Sequence, residues 1–548
     1  MRLRQITLAA IALSGVWLAV LIQRVNETPA PAFAARPQPS DFPAAQKLKK
    51  VPGLNRPVPV IPIVRPSRPA LISTPAPIRP AKPARPRRAK RTAEKRAEPG
   101  LDTTVLIPED TRRAATPPPP LEPLAISGQQ VVALTSSSAR ITWRTNVPTQ
   151  TQTAFGLDAP TIWAQPSGQS VVEPQSVLEG LDYSTTYQVY LRAVDEWNRA
   201  ETATLSLTTG PMPSSSSART SGDNIILDDR AFFPTAVWAA CSDGFETNMD
   251  DGINLFMGDG CQDDVKLPGR LDGRAYSIVD TENVEATGRG VIGWYYPDEW
   301  DAFLESSVKR SDFEDTIVRP RAGRISFLTL TNHFYSRAEP LPQGKGMYPV
   351  LFSIPDVIGF DLYPLQVWCR PAFGDVFDAQ TELHTGSGGK PTFQWIEVAP
   401  MEHPCKKHAS LNPNASTVRA ETWLSIGGGA DGVGYFPNRW NDSIGDEIVR
   451  TNREIKALTP ALLAQDANTR SDTDAVRVSA RTLNGALYVI AVNTSEMSVQ
   501  TRITVEGIAG RSAMIHGCGT AVAADAEGFS DSFGPLAARV YVIPPQGW

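Results

Sequence analysis

The sequence predicts a multidomain protein in which a (β/α)8 TIM barrel lies between an N-terminal and a C-terminal β-sandwich. Three observations lead to this prediction. The chain of 548 residues is too long for one ordinary hydrophobic core. Eight short apolar runs recur between residues 222 and 458, with helix-like stretches between several of them. Alternating runs typical of half-buried antiparallel strands flank this region on both sides.

The first 27 residues have the pattern of an export segment. Arg2 and Arg4 precede an uncharged, mostly apolar stretch of 17 residues at positions 6–22. This length lies between that of a signal-peptide core and that of a short membrane span. A small-x-small cleavage pattern at Ala32–Ala34 lies far beyond the stretch, which favours an uncleaved membrane anchor in residues 1–27 over a removed signal. Both alternatives place the rest of the chain outside the cytoplasm, anchored and facing the periplasm or cell surface, or secreted.

Residues 28–123 have the composition of a disordered linker. The first 123 residues contain 21 Lys and Arg against 8 Asp and Glu, and 23 of the 48 prolines lie between residues 28 and 123. Proline fixes φ and like charges repel each other, which predicts an extended, semi-rigid spacer. Contact of a polyanion with a basic arm centred on Arg85–Arg91 is an additional interpretation. The other 425 residues carry 32 basic against 50 acidic side chains, which argues against specific nucleic-acid binding by the whole chain.

Five cysteines in an exported chain are expected to form mainly disulfides. The local pairings are Cys241 with Cys261 and Cys369 with Cys405, which leaves Cys518 alone. With five cysteines, other pairings stay open at this point.

Residues 124–210 alternate apolar and polar side chains, as in Arg140–Arg144, which predicts antiparallel strands with one buried face. The segment Leu181–Val189 resembles the fibronectin type III domain, and the resemblance extends over this whole region. It implies that Trp143 is the core tryptophan and that the hydroxyl of Tyr187 ties down a strand corner. Such modules are spacers or partner-binding units, and a spacer is our interpretation.

The region 222–458 contains the eight apolar runs, each of which ends in polar or aromatic residues. The runs are Phe232–Trp238, Ile253–Met257, Ala275–Val279, Val291–Tyr296, Ile325–Leu330, Val357–Phe360, Thr392–Ile396 and Gly432–Phe436. Apolar strands that alternate with helices indicate a parallel sheet buried on both faces, and eight of them fit a closed barrel. The interval between the first two runs is short for a full helix.

In such a barrel the functional residues lie where the strands end at their C-terminal edge. The candidates that follow the runs are Trp238, Asp280, Asp298, Glu299, Asn332, His333, Asp361, Tyr363, Glu397 and Trp440. Two carboxylates stand out, because Glu299 follows the fourth run and Glu397 follows the seventh. Trp395 and Ile396 predict that Glu397 is buried. Because burying a carboxylate is energetically unfavourable, its presence at that position favours a functional role.

Several segments of this region resemble the clan A glycoside hydrolases. They are Phe232–Pro234, Pro297–Glu299, Gly359–Pro364 and Gly434–Phe436. The resemblance is mainly one of architecture and position, and it implies a glycosidase that works without a cofactor. In that clan the acid/base ends strand four and the nucleophile ends strand seven, which implies Glu299 as acid/base and Glu397 as nucleophile. Many members have Asn before the acid/base, whereas Asp298 stands here and is therefore a rival acid.

The chemistry explains why two carboxylates matter. Glycoside cleavage requires a proton on the leaving oxygen and negative charge at the anomeric carbon, and carboxylates about 5–5.5 Å apart serve a retaining reaction. The candidates for binding the carbohydrate substrate are the rings of Trp238, Tyr363 and Trp440 and the polar groups of Asp298, Asn332, His333 and Asp361. Trp294 and Trp395 lie inside the runs and are predicted to be packing residues.

Other functions are less well supported or stay open. The five histidines show neither a His-x-His nor a His-Glu-x-x-His pattern, which disfavours a metal hydrolase. A non-catalytic, surface glycan-binding or adhesion protein on a decayed barrel is the main alternative. A barrel that supports partner binding by the fibronectin-like region is the third.

Residues 459–548 alternate again, as in Ala475–Ala480 and Ala538–Ile543, which predicts further antiparallel strands. They resemble the β-sandwich that follows many clan A barrels. This resemblance implies structural support for the barrel.

Overall fold

The computed structural model describes residues 122–548, except residue 167 and residues 305–309, 314–315, 402–404 and 406–410. The predicted anchor at residues 6–22 and the predicted linker up to residue 121 lie outside the described residues. Within the described part of the chain, no helix has both the length and the apolar composition that crossing a bilayer requires.

Seven strands form two sheets between residues 126 and 208. They are β1 (Ile126–Leu134), β2 (Ala139–Thr145), β3 (Thr149–Gly156), β4 (Ile162–Trp163), β5 (Gln175–Leu178), β6 (Thr186–Asp195) and β7 (Ala200–Thr208). One sheet has the order β1-β2-β5 and the other the order β4-β3-β6-β7, and all neighbours are antiparallel. Trp143 is buried in their core, and the backbone N–H of Asp182 donates to the hydroxyl of Tyr187 over 2.9 Å. The predicted strands are therefore present, and Tyr187 is bonded to backbone a few residues upstream.

A small sheet of order β10-β9-β8 precedes the barrel. Its strands are β8 (Ala218–Ser221), β9 (Asn224–Leu227) and β10 (Arg230–Phe232). Phe232 packs edge-on against Tyr276 at the start of a barrel strand, so this sheet covers the N-terminal end of the barrel. The sequence had placed Phe232 in the first barrel strand, but that strand begins at Thr235. Pro234 has no N–H to donate to a sheet ladder, which separates the two elements.

Eight parallel strands form a closed barrel, as the eight apolar runs predicted. They are β11 (Thr235–Ala240), β12 (Leu255–Asp259), β13 (Tyr276–Asp280), β14 (Val291–Tyr295), β15 (Ile325–Thr331), β16 (Val357–Asp361), β17 (Thr392–Glu397) and β18 (Gly432–Phe436). The first strand pairs with both the second and the eighth. Nearly every strand residue is buried, because side chains pack both inside the barrel and against the surrounding elements.

The helices around the barrel are uneven in length. They are α1 (Phe245–Asp250), α2 (Leu267–Leu271), α3 (Tyr348–Phe352), α4 (Phe373–Gly386), α5 (Ala415–Gly427) and α6 (Asp442–Leu462). The helix between the first two barrel strands has only six residues, in agreement with the short interval in the sequence. The long helices therefore support the second half of the barrel.

Two glycines make room for aromatic rings in the barrel interior. A Cβ on Gly359 would lie 2.1 Å from the ring of Phe393, and a Cβ on Gly434 would lie 2.3 Å from the ring of Trp395. Both rings come from β17. Gly359 lies on one neighbouring strand, β16, and Gly434 lies on the other, β18. The aromatic core of the barrel thus depends on the absence of side chains on the adjacent strands.

Nine further strands follow the barrel in two sheets that share one hydrophobic core. They are β19 (Gln465–Ala467), β20 (Thr469–Ser471), β21 (Val476–Leu483), β22 (Ala486–Asn493), β23 (Val499–Val505), β24 (Ala513–Ile515), β25 (Ala521–Val522), β26 (Gly528–Phe533) and β27 (Ala538–Ile543). The sheet orders are β19-β21-β22-β27-β24-β25 and β20-β23-β26. Helix α5 packs against β22, which joins this region to the barrel.

Two disulfides link loops at the C-terminal edge of the barrel. Cys241 pairs with Cys261 after β11 and β12, and Cys369 pairs with Cys405 after β16 and β17. Both predicted pairings are confirmed. Cys518 is exposed and has no disulfide partner among the described residues.

Candidate active site

Three carboxyl groups lie together at the C-terminal edge of the barrel. Asp298 and Glu299 follow β14, and Asp361 is the last residue of β16. The charges of Asp298 and Glu299 raise the pKa of Asp361, and the charge of Glu299 raises the pKa of Asp298. Such effects require that the groups are close to each other. The structure therefore brings together three of the predicted site residues, which we call the carboxyl cluster.

The carboxyl cluster holds its protons to unusually high pH. Burial, followed by the charge of Glu299, raises the pKa of Asp298 to about 8. Burial, followed by the charge of Asp301, raises the pKa of Glu299 to about 7. Burial, followed by the charges of Asp298 and Glu299, raises the pKa of Asp361 well above its ordinary value. Because neighbouring carboxylates disfavour each other's ionisation, the cluster contains both protonated and ionised groups near neutral pH.

The backbone at Glu299 is fixed by a buried turn. Glu299 has φ 46° and precedes the short 3-10 turn Trp300–Phe303. Within that turn the carboxylate of Asp301 is completely buried, and it accepts hydrogen bonds from the N–H of Thr331 at 3.0 Å and the hydroxyl of Tyr348 at 2.9 Å. Asp301 thus anchors the loop after β14 to the end of β15, while Glu299 itself stays half-buried.

Asp361 is held by its own loop and by the neighbouring strand. The hydroxyl of Tyr363 donates to Oδ1 of Asp361 over 2.5 Å, and the side-chain amide of Asn332 donates to the Asp361 carbonyl over 2.9 Å. The ring of Tyr363 stacks on that of Phe436, with the ring centroids 6.0 Å apart. Asn332 therefore fixes the end of β16, and Tyr363 bonds directly to a cluster carboxylate.

Aromatic side chains of several barrel strands contact each other in the barrel core. The half-buried ring of Trp238 contacts Tyr295 and Trp395 edge-on, with centroid distances of 4.9 and 6.1 Å. Trp395 is buried and its indole N–H donates to Thr329, so it is a packing residue, as predicted. Trp294 is likewise buried, as predicted. Trp238 keeps an exposed part that a sugar ring could cover.

Glu397 ends β17 at the same edge of the barrel, where its carboxyl group has its own hydrogen-bond partners. Its side chain is completely buried, and its two carboxylate oxygens accept the backbone N–H groups of Leu365 at 2.7 Å and Gln366 at 2.8 Å. Burial raises the pKa of Glu397 to about 7, and its hydrogen bonds with Leu365, Gln366 and the carboxyl group of Glu421 oppose that rise.

The contacts of His333 and Trp440 are with residues outside the carboxyl cluster. The His333 ring Nδ1 bonds to the carbonyl of Glu339 within its own loop. The indole N–H of Trp440 donates to Asp251 over 2.7 Å, and its ring packs in the outer core against Tyr435. Both side chains are therefore used in local packing and hydrogen bonding.

Sequence reasoning missed several residues near the site. The hydroxyl of Tyr295 donates to Asp264 over 2.9 Å, and Asp264 also accepts the backbone N–H groups of Asp259 and Asp280. Tyr295 lies near the end of the fourth apolar run, and this position could have identified it as a candidate site residue. Asp264 follows its strand by five residues, and no spacing in the sequence distinguishes it from other loop acids.

Among the described residues, no three or more His, Cys, Asp and Glu side chains are grouped in a way that could hold a metal ion.

No family model and no curated protein matches the chain. Among solved structures, it is similar to a candidate α-galactosidase/melibiase from Bacteroides fragilis, at 12% identity over 77% of this chain and 98% of that chain, with a TM-score of 0.42. It is also similar to an α-amylase from Geobacillus thermoleovorans in complex with acarbose, at 11% identity over 56% of this chain and 91% of that chain, with a TM-score of 0.38. A third structure is the GH2 β-galacturonidase from Eisenbergiella tayi, at 11% identity, 61% and 72% coverage and a TM-score of 0.31. At this level, similarity carries no argument about activity, which has to come from the chemistry of the site.

Proposed function

We propose that this protein is a glycoside hydrolase whose proton donor and anionic group both belong to the carboxyl cluster of Asp298, Glu299 and Asp361. The observation that carries the proposal is the position of these three carboxyl groups after β14 and at the end of β16 in a closed barrel, where burial raises the pKa of each. Glycoside cleavage needs a protonated carboxyl at the leaving oxygen and a carboxylate at the anomeric carbon at the same time. A cluster that is partly protonated near neutral pH meets both needs.

Glu299 is the proposed proton donor. Its pKa of about 7 lies close to neutral pH, where a general acid combines sufficient protonation with sufficient acidity. Asp298, the rival acid, belongs to the same cluster and is proposed to bind a sugar hydroxyl. The half-buried ring of Trp238 and the stacked pair of Tyr363 and Phe436 supply flat apolar surfaces, which suit the faces of a pyranose.

Asp361 is the proposed anionic partner of Glu299. The hydroxyl of Tyr363 donates a hydrogen bond to it, which favours its ionised form and opposes the rise in its pKa that burial and the charges of Asp298 and Glu299 cause. Glu397 is the alternative nucleophile that the sequence implied. It is disfavoured because backbone N–H groups engage both of its oxygens.

The remaining parts of the proposal concern stereochemistry, domains and location. We propose a retaining reaction, a fibronectin type III identity for residues 124–210 and a supporting β-sandwich in residues 459–548. The two-sheet order and the bond from Asp182 to Tyr187 support the fibronectin assignment. Export, with a membrane anchor at residues 6–22 and polyanion contact by the linker, is supported by the two disulfides, since these persist in oxidising compartments.

A panel of oligosaccharides and aryl glycosides tests the proposal. Wild type, Glu299→Gln, Asp361→Asn and Glu397→Gln are compared by initial rates, and proton NMR of the first-formed product reports its anomeric configuration. We expect turnover of at least one glycan by wild type, with losses of about 10²-fold or more in Glu299→Gln and Asp361→Asn. Binding of a glycan without turnover would instead support the non-catalytic alternative. Product of inverted configuration would refute the retaining mechanism alone.

A further inference from the structure

Two buried glutamates lie beside the candidate site and outside the carboxyl cluster. Glu397 ends β17 and is 0% exposed, and Glu421 lies in α5 and is 1% exposed. Burying two carboxyl groups side by side is costly unless one of them keeps a proton or a cation pairs with them. Arg419, two residues from Glu421, pairs instead with Glu447 and Glu454. Among the described residues no cation shifts the pKa of either carboxyl, so a shared proton is the available solution.

Glu397 holds the loop that carries Tyr363. Its oxygens accept the backbone N–H groups of Leu365 and Gln366 at 2.7 and 2.8 Å. The side chain of Gln366 is itself buried and bridges onward, accepting from the N–H of Met401 at 2.7 Å and donating to the carbonyl of Leu411 at 2.8 Å. The segment Tyr363–Gln366 is therefore tied to the loop after β17, two residues beyond Asp361.

The hydrogen bonds assign the proton within the pair. Glu397 receives two N–H donors, which stabilise an anion. The side-chain hydrogen bond of Glu421 is the one to Glu397, and it requires that one of the two carboxyl groups carries a proton. The charge of Glu397 and burial raise the pKa of Glu421 well above its ordinary value. Glu397 is thus the group of the pair that ionises first, and Glu421 is the acid that keeps its proton.

We propose that Glu397 and Glu421 form a one-proton pair of positioning residues, which holds the Tyr363–Gln366 segment and thereby aligns the hydrogen bond from Tyr363 to Asp361. The catalytic consequence of this pair rests on the proposed function. The pair itself is open to test without any substrate.

The first test measures thermal unfolding of the purified full-length chain from pH 5 to pH 9. A carboxyl group whose folded pKa is raised binds its proton more tightly in the folded state. The stability it contributes is therefore lost as pH rises from the unfolded value of about 4.5 to the folded pKa. Asp264, Asp431, Glu397 and the carboxyl cluster contribute in the same direction and keep part of this slope. Glu421→Gln removes one contributor, and we expect the fall in Tm to be about 2–4 °C smaller than in wild type.

Glu201→Gln is the matched control for this test, because Glu201 is exposed on β7. It should reproduce the wild-type dependence on pH. A Glu421→Gln variant whose Tm falls as steeply as that of wild type would overturn the shared proton. This readout involves no glycan, so it stays decisive even if wild type turns over no substrate and the proposed function fails.

The second test separates positioning from nucleophilic attack by Glu397. In Glu397→Gln the amide replaces one acceptor by a donor that faces a backbone N–H, which should loosen the Tyr363–Gln366 segment. Displacement of a catalytic group by about 1 Å costs about 100-fold in kcat, and KM should change little because the aromatic surfaces remain. The double variant Glu397→Gln/Glu421→Gln should lose less than the product of the two single losses, since the two residues act as one unit.

A rescue experiment with azide can give the result that would contradict a positioning role for Glu397. With Glu397→Ala, azide should restore no turnover and form no glycosyl azide if Glu397 only holds the loop. Formation of a glycosyl azide would identify Glu397 as the nucleophile and overturn the proposal. If Glu397→Ala does not fold, the same assay with Glu397→Gly and the coupling in the double variant decide the question.

Discussion

The hydroxyl of Tyr363 donates a hydrogen bond to Oδ1 of Asp361 over 2.5 Å, at the edge where β16 ends. Both side chains are more than nine-tenths buried. This bond lowers the pKa of Asp361, whereas burial and the charges of Asp298 and Glu299 raise it. In a site with little water, a single hydroxyl therefore has a large influence on how much of Asp361 is ionised.

Replacing Tyr363 by Phe should move the acidic limb of the kcat/KM profile to higher pH. Loss of the hydroxyl removes a bond to the ionised form, so the pKa of Asp361 rises and less carboxylate is present at a given pH. A hydrogen bond to a charged group stabilises it by about 1.5 kcal/mol, which corresponds to a shift of about one pH unit. The measurement is kcat/KM against pH for Tyr363→Phe and wild type on the same substrate.

Tyr435→Phe serves as the control for this prediction. The Tyr435 hydroxyl is also buried, but it donates to Asn452 over 2.7 Å on the outer side of the barrel. The variant should lose stability and keep the wild-type acidic limb. An equal shift of the limb in both variants would show that the Tyr363 bond has no specific role in ionising Asp361.

Replacing Glu299 by Gln should remove the alkaline limb of the activity. A general acid works only while protonated, and the raised pKa of about 7 predicts that wild-type kcat/KM falls as pH rises above about 7. Glu299→Gln should retain activity on glycosides with highly acidic leaving groups, without that limb. On glycosides with poor leaving groups it should lose about 10²–10⁴-fold.

The exposed Glu282, in the loop after β13, supplies a matched Glu→Gln control for this prediction. Glu282→Gln should keep both limbs and the wild-type dependence on leaving group. If Glu299→Gln shows the same fractional loss on all leaving groups, protonation by Glu299 is not part of the rate-limiting step.

The barrel was predictable because its signal is repeated. Eight apolar runs with polar ends leave few alternative topologies, and each run contains most of a barrel strand. Boundaries were less accurate where a backbone property outweighed hydrophobicity. Phe232 is as apolar as any strand residue, yet Pro234 separates it from the first strand.

The site was only partly predictable, because side-chain direction depends on loops that the pattern does not describe. The positions of Asp298, Glu299 and Asp361 follow directly from the ends of strands four and six. Glu397 ends its strand equally clearly, but the loop after β16 presents two backbone N–H groups to it. No sequence pattern specifies that contact. The proximity of Glu421 to Glu397 could not be predicted either, because Glu421 lies on a helix and not at the end of a strand.

Replacing Asp301 by Ala should destabilise the fold and misplace Glu299. The buried carboxylate of Asp301 accepts from the N–H and hydroxyl of Thr331 and from the hydroxyl of Tyr348. Removing it leaves these donors buried and without their acceptor, which costs about 3 kcal/mol. Chemical denaturation measures the loss, and Asp301→Asn, which keeps one acceptor oxygen, should lose less. Equal unfolding free energies for Asp301→Ala and wild type would show that this network contributes nothing to stability.

Replacing Gly434 by Ala should destabilise the barrel through Trp395 and weaken substrate binding through Trp238. The added Cβ would lie 2.3 Å from the Trp395 ring, which has to move within a filled interior, and overpacking of this kind costs about 1–3 kcal/mol. Because Trp395 contacts Trp238 edge-on, its displacement should raise KM as well as lower the denaturation midpoint. Gly346→Ala is the control, since its Cβ would meet no atom within 4 Å, and it should leave both quantities unchanged. A Gly434→Ala variant with the wild-type midpoint would show that the ring relaxes freely, and the rigid contact between Trp395 and Trp238 would then have to be abandoned.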